Sequence, residues 1–477
     1  MWKKIFAAML AMALAGGLMA CVAKPDERES TSGAGAASGE TSAEPVTAGE
    51  PEETVLVFQS PMPASAAERE GDYVLTNAFR ESDFSDSKRF SRNLALLSFA
   101  MAVANRNEEI MGAFFGGARF DNARFSGYDV TPTEDTVAYA FAHRKIGERD
   151  LVAVSVRGFH YGAEWIDNFR VGENGYHEGF SRAANAIYDS LRSYIAESAY
   201  QNVGLWITGY SRGGGVANVL GSLLNLRNGS ENAVRFSESN LYVYTFEAPA
   251  GVPAEYAAAG NIHNIVSHED LVVYVAPEGY GFRRAGTDYD IFRTTYRSDA
   301  KAYDAALELP EFSATDSAKN GKTLYQAMLN GLMTEPADES SLSVHTRAEY
   351  VENLQTPLGR AIWLLESMSG SRRDAVINDL NSDMNRFSLL YVLGNNTENG
   401  LYNLMKASLE KADVAFDDAS LKTSCAKLQG VLSTAMKNDP DATQNLTGLT
   451  SNLAYIGAMH APETVYSLLL KYNFSPD

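Results

Sequence analysis

The residues best placed to do chemistry are Gly209-Tyr210-Ser211-Arg212-Gly213, a serine held between two glycines. The pentamer alone is a weak signal. Its setting strengthens it, because it joins the apolar, β-rich run Val203 to Thr208 to a helix-period stretch from about Ser211 to Leu226. A sharp strand-to-helix turn needs small residues where the two backbones pass, and Gly209 and Gly213 supply them. Such a turn lifts the serine hydroxyl to the C-terminal edge of a sheet and sets it at a helix N-terminus, which favours developing negative charge. The chemistry implied is nucleophilic attack by Ser211 on a carbonyl carbon.

An attacking serine requires a base, an acid to orient that base, and N–H donors for the oxyanion. On turns of this kind the chain order is Ser, then Asp or Glu, then His. Downstream of Ser211 lie His263, His268, His345 and His460. His263 and His268 flank a predicted strand and the candidate acid, and are read as packing or surface residues. His460 falls in a helical tail. His345, after an acidic loop and before a helical pattern, is the best-placed base on chain order. For the acid, Asp270 follows the run Ile262 to Val266 and precedes Leu271-Val272-Val273, which turns it from solvent; Glu269 and Asp288 are its rivals. The oxyanion donors fall on the backbone N–H of Arg212, directly after the nucleophile, and on Arg157-Gly158-Phe159-His160 after an earlier strand. There Phe159 is preferred, with His160 next.

These groups must be positioned by strands and helices in alternation. Thr136 to His143 and Leu151 to Val156 are expected to be paired strands joined by the turn Gly147-Glu148-Arg149-Asp150. A helix-period stretch from about His177 to Ser198 follows, then the strand and helix around Ser211, then strands at Leu241 to Phe246 and Ile262 to Val266. Strand and helix alternating in this order imply an α/β fold with a mostly parallel central sheet. Beyond about residue 355 helical patterns dominate (Gly359 to Met368, Arg373 to Leu390, Leu401 to Ala412, Leu421 to Lys437), and 356–477 is expected to be a helical accessory region.

The N-terminus carries a different signal. Trp2-Lys3-Lys4 precedes an apolar, alanine-rich run from Ile5 to Met19, too short for a comfortable membrane span, so 1–20 is expected to be an export signal. Leu18-Met19-Ala20-Cys21 resembles the bacterial lipoprotein signal, which implies lipidation at Cys21. Residues 21–53, poor in aliphatic bulk, are expected to be a disordered tether leading to a globular domain over 54–355. The expected location is therefore extracytoplasmic, with the chain anchored to the cell membrane through its lipid. The formal charge of -20 argues against a nucleic-acid partner and against attraction to anionic lipid. Only Cys21 and Cys425 are present, so an acylated Cys21 leaves no internal disulfide to form.

Several motifs then coincide in order, and the chain resembles the class 3 lipases, the fungal-type triacylglycerol lipase family. They are V-R-G at Val156 to Gly158, H-x-G-F at His177 to Phe180, and G-x-S-x-G-G at Gly209 to Gly214. Then come Ala248-Pro249, Asp270 before an apolar run reaching Pro277, and H-x4-Y at His345 to Tyr350. The resemblance implies an α/β-hydrolase fold, carboxyl-ester hydrolysis through an acyl-enzyme, and the triad Ser211, Asp270 and His345, with an acyl-ester or lipid substrate and neither metal nor organic cofactor. Two departures bear on substrate. Phe159 stands where the family usually has Ser or Thr, and Arg212 sets a cation beside the nucleophile, suited to an anionic head group or to pairing with an acid. A segment from about Lys301 to Glu335, with Tyr325, Met328, Leu329 and Leu332 in an apolar stripe, is a candidate lid or an ordinary surface helix. Phospholipase or other serine hydrolase chemistry on the same triad, and a non-catalytic surface binding protein, are the alternative readings.

Overall fold

In β5 (Arg149–Val156) and β6 (Val203–Tyr210) nearly every residue is buried, which only a strand covered on both faces can achieve. A computed structural model gives the reason. It describes residues 55–62, 73–128, 137–158, 170–172, 174–231, 233–267, 280–291, 370–380, 383–438 and 460–471, with a few isolated positions besides, Asp270 among them. The expected signal and tether (1–20 and 21–53) and the segment 301–335 lie outside the described residues.

The chain opens with a two-stranded antiparallel ribbon, β1 (Leu56–Met62) with β2 (Tyr73–Phe79). The main sheet has seven strands in the order β11-β9-β7-β6-β5-β4-β3. They are β3 (Asp121–Ser126), β4 (Tyr139–Ile146), β5, β6, β7 (Leu241–Phe246), β9 (Ile262–Val266) and β11 (Thr287–Asp290). From β5 to β11 every neighbouring pair is parallel, while β3, β4 and β5 run antiparallel to one another at one edge. The expected β4–β5 pairing is present, with Tyr139 opposite Val156 and Ile146 opposite Arg149. A small pair, β8 (Val252–Pro253) with β10 (Phe282–Arg283), lies beside the main sheet in sequence but is not part of it.

Because side chains alternate across a strand, each strand divides its residues between two cores. Val152, Val154 and Val156 of β5 and Leu205 and Ile207 of β6 meet Phe180, Ile187 and Leu191 of α3 (Glu178–Glu197) and Val216, Val219 and Leu220 of α4 (Arg212–Arg227). On the other face Leu151, Ala153, Trp206 and Tyr210 meet Leu97, Phe99 and Met101 of α1 (Arg92–Ala104) and Phe114 and Phe115 of α2 (Glu108–Gly117). Burying a side chain of this size stabilises by about 1.5–3 kcal/mol, so these two layers supply most of the fold's cohesion. Two polar contacts register α1 on the sheet: the Trp206 indole N–H donates to Ser98 Oγ at 2.8 Å, and Thr208 donates to the Ser98 carbonyl at 3.2 Å.

The helical patterns of the last third become α5 (Gly370–Leu380), α6 (Asp383–Gly394), α7 (Gly400–Lys411) and α8 (Asp418–Asn438). One expected helix over Arg373 to Leu390 is in fact two, α5 and α6. The final helix, α9 (Pro462–Lys471), packs on α1: the Tyr466 ring stacks on Phe99 at 5.6 Å, and the Arg92 guanidinium bonds the Leu470 carbonyl. Pro462 opens α9 at a position where its missing N–H costs nothing. The helix expected to lie in an accessory region is thereby held against the hydrolase-like core.

Candidate active site

Ser211 stands between β6 and α4 with φ 55° and ψ -128°, a conformation that L residues rarely adopt. The strain persists because the surroundings over-determine it. The Ser211 N–H donates to the Phe246 carbonyl at 2.8 Å, its own carbonyl accepts from Gly215 N–H at 3.0 Å, and three glycines close the turn from outside. A Cβ on Gly209 would lie 2.2 Å from the Gly213 carbonyl oxygen, and one on Gly213 would lie 2.4 Å from that of Val156. A Cβ on Gly158 would lie 1.8 Å from the Tyr210 carbonyl oxygen, so the loop after β5 is pressed directly against the nucleophile turn.

Across the sheet edge from the serine lie two groups that complete a relay. His460 Nε2 is 2.9 Å from Ser211 Oγ, and His460 Nδ1 is 2.5 Å from Asp270 Oδ2. Asp270 is 1% exposed and Ser211 2% exposed. The other Asp270 oxygen, Oδ1, accepts the Val272 N–H at 2.9 Å, and the Asp270 N–H donates to the Ser267 carbonyl at 3.0 Å, which fixes the carboxylate from both sides. The His460 backbone is held by the hydroxyl of buried Tyr210, which donates to its carbonyl at 2.9 Å. Burial raises the Tyr210 phenol well above its ordinary range, and the nearby Glu247, Asp270 and Glu463 carboxyls add to the effect. The phenol therefore stays a donor.

The structure sets a different imidazole beside the serine from the one expected on chain order. The imidazole between Ser211 and Asp270 belongs to His460, while His345 lies outside the described residues. Asp270 holds the acid position. Its rival Asp288 is instead paired with Arg284 at 2.6 Å, and Glu269 lies outside the described residues. His263 is a packing residue, its ring bonded to the Ser87 carbonyl at 2.9 Å and to the Tyr289 hydroxyl at 3.1 Å, and burial lowers its pKa.

Arg212 opens α4, so its N–H belongs to the cluster that points out of a helix N-terminus toward the serine. Its side chain is 1% exposed, so the cation expected beside the nucleophile does not stand on the surface. Phe159 and His160 lie outside the described residues, immediately after the Gly158 that abuts the turn. Phe282 is fully buried in the core. Cys21, the expected lipidation site, lies outside the described residues. Among the described residues no group of three or more His, Cys, Asp or Glu is arranged to hold a metal ion, and no helix is long and apolar enough to cross a membrane.

Two residues that the structure brings to the site are not singled out by the sequence. His460 carried a faint signal: His460-Ala461-Pro462-Glu463 places a histidine just before a proline-started helix, where a side chain projects freely. Glu247, directly after β7, is fully buried against Asp270 and had no signal beyond being a carboxylate at a strand end.

Residues 153–280 match the family described as Lipase (class 3), a stretch that contains Gly158, Ser211 and Asp270 and is that of a serine hydrolase. Solved structures similar to the chain include a triacylglycerol lipase whose catalytic centre is a serine protease triad, at 19% identity over 43% of this chain and 82% of that one, with a TM-score of 0.33. The Rhizomucor miehei triacylglyceride lipase matches at 19% identity over 42% of this chain and 78% of its own, with a TM-score of 0.32. The lipase from Rhizopus microsporus var. chinensis matches at 18% over 41% and 72%, with a TM-score of 0.32. No curated protein matches the chain.

Proposed function

We propose that the chain is a serine carboxylester hydrolase, a lipase or esterase that acts on acyl esters at the cell envelope. One observation carries this reading: Ser211 Oγ, His460 and Asp270 form a continuous relay with contacts of 2.9 Å and 2.5 Å at a glycine-lined strand-to-helix turn. In the proposed reaction His460 Nε2 takes the Ser211 proton as Oγ attacks the ester carbonyl. Asp270 holds the imidazole in the tautomer with its proton on Nδ1 and balances the charge that forms. The Arg212 N–H and the Phe159 N–H receive the oxyanion. His460 then protonates the leaving alcohol, an acyl group remains on Ser211, and water activated by the same imidazole releases it.

The envelope location rests on the sequence: an export signal over 1–20, lipidation of Cys21 and a tether over 21–53. Metabolic labelling with a palmitate analogue, lost in Cys21→Ser, tests the anchor.

The activity is tested with the detergent-solubilised chain on p-nitrophenyl esters of several chain lengths, beside Ser211→Ala. Hydrolysis that disappears in the variant supports the serine mechanism, and the chain-length profile separates esterase from lipase. A folded wild type that hydrolyses none of them overturns the reading.

A further inference from the structure

Behind the triad acid lies a second carboxyl with no access to water. Glu247 is 0% exposed and Asp270 1% exposed, and the Glu247 carboxyl is hydrogen-bonded to that of Asp270. Two carboxyl groups can bond only through a proton that one of them carries. The geometry says which one. Asp270 already receives His460 Nδ1–H on Oδ2 and Val272 N–H on Oδ1, whereas Glu247 accepts the Ser267 N–H, a single donor shared between its two oxygens at 3.1 and 3.0 Å. The negative charge is best supported on Asp270, and the proton on Glu247.

We propose that Glu247 is a positioning residue for the triad, a neutral carboxylic acid whose O–H donates to Asp270 and fixes both the orientation and the charge of that carboxylate. This rests on the hydrolase reading given above, in which Asp270 is the triad acid. Burial pushes the Glu247 carboxyl well above the ordinary carboxylate range, and the Asp270 charge pushes it further; the Ser267 N–H and the Arg284 guanidinium oppose this without reversing it. Among the described residues, the other titratable groups at the pair are Tyr210 of β6 and His460 itself, with Glu463 of α9 acting on Tyr210. Arg284 is engaged with Asp288 at 2.6 and 2.8 Å.

The position of Glu247 ties it to both ends of the relay. Its N–H donates to the Ile265 carbonyl at 2.9 Å, and the preceding carbonyl, of Phe246, receives the Ser211 N–H. Ser267, which donates to Glu247, accepts from Asp270 N–H. One residue therefore sits where the nucleophile turn and the acid loop meet. During turnover its proton stays on Glu247. The donated bond draws charge from Asp270, so the imidazolium formed during turnover is held less tightly than by an unshared carboxylate.

Glu247 has φ 47°, where glycine is unstrained, so Glu247→Gly removes the acid without opposing the backbone. Glu247→Gln keeps a donor toward Asp270 and an acceptor for Ser267. With the full chain in detergent, we expect Glu247→Gly to lose about tenfold in kcat at unchanged KM, the scale of one charge-assisted hydrogen bond, with the acid limb of kcat/KM moved to higher pH. Glu247→Gln should recover most of that loss and return the limb to its wild-type position. Infrared difference spectra at neutral pH should show a protonated-carboxyl band in the wild type that is absent from Glu247→Gln. A wild type without that band, or a folded Glu247→Gly with full kcat and an unmoved acid limb, overturns the proposal. A wild type that hydrolyses no ester sinks the hydrolase reading instead, and the infrared band still decides where the proton lies.

Discussion

His460 Nε2 lies 2.9 Å from Ser211 Oγ although 249 positions separate the two residues in the chain. The contact is fixed at both ends, by the strained turn that presents the serine and by the Tyr210 hydroxyl that holds the histidine carbonyl. Because Tyr210 immediately precedes Ser211, the same turn aims the nucleophile and anchors its base.

His460→Ala is expected to reduce kcat by about 10⁴- to 10⁶-fold, as removal of a triad base does. His345→Ala should leave kcat/KM at the wild-type value. Steady-state hydrolysis of one p-nitrophenyl ester by both variants makes the comparison, and a large loss in His345→Ala would return the base to that residue.

Gly158→Ala should cost about 3 kcal/mol or more, because its Cβ would meet the backbone oxygen of Tyr210 at 1.8 Å and neither strand can retreat from a packed sheet. Denaturant unfolding measures it. Gly147→Ala, at an open turn with nothing within 4 Å of its Cβ but a φ of 52°, should lose only about 1 kcal/mol.

Ser211→Gly should be more stable than Ser211→Ala by about 1 kcal/mol, since only glycine adopts φ 55° and ψ -128° without strain. Both variants are expected to lose ester hydrolysis. A pair with equal melting temperatures would show that the turn is not strained.

Asp150 predicts an acid-sensitive contact at the far end of the sheet. Its burial raises the carboxyl pKa, but His143, the Gln201 N–H and Lys145 together outweigh burial and leave it lowered. A group lowered on folding stabilises above its unfolded pKa, about 3.9 for Asp, and that stability is lost as pH falls through the lower folded value. Melting temperatures taken from pH 6 downward should therefore fall more steeply below about pH 4 in the wild type than in Asp150→Asn.

Much of this was legible in the sequence because it is local. Leu241 to Phe246 and Ile262 to Val266 are strands over the very residues expected, and Ser211 and Asp270 stand at the ends of their strands as the pattern required. Their signals are short apolar runs bounded by turn residues, and each is complete within a dozen positions. The identity of the base is not local. Chain order asks only for a histidine after the acid, and His345 and His460 both satisfy it. What separates them is that Tyr466 of α9 stacks on Phe99 of α1, a contact between helices from opposite ends of the fold that no window of sequence displays. Glu247 was illegible for a related reason. A carboxylate after a strand is ordinarily solvated, and the approach of Ser267 and Asp270 to Glu247 is a contact between distant positions that no window of sequence displays.

The distance along the chain between the acid and its base also sets an order of events. His460 is synthesised 190 residues after Asp270, which at about 5–20 residues per second is a delay of about 10–40 s. Throughout that interval the growing polypeptide has its nucleophile and its acid but no imidazole between them. On the proposed triad, the relay therefore waits on the synthesis of the last described helix.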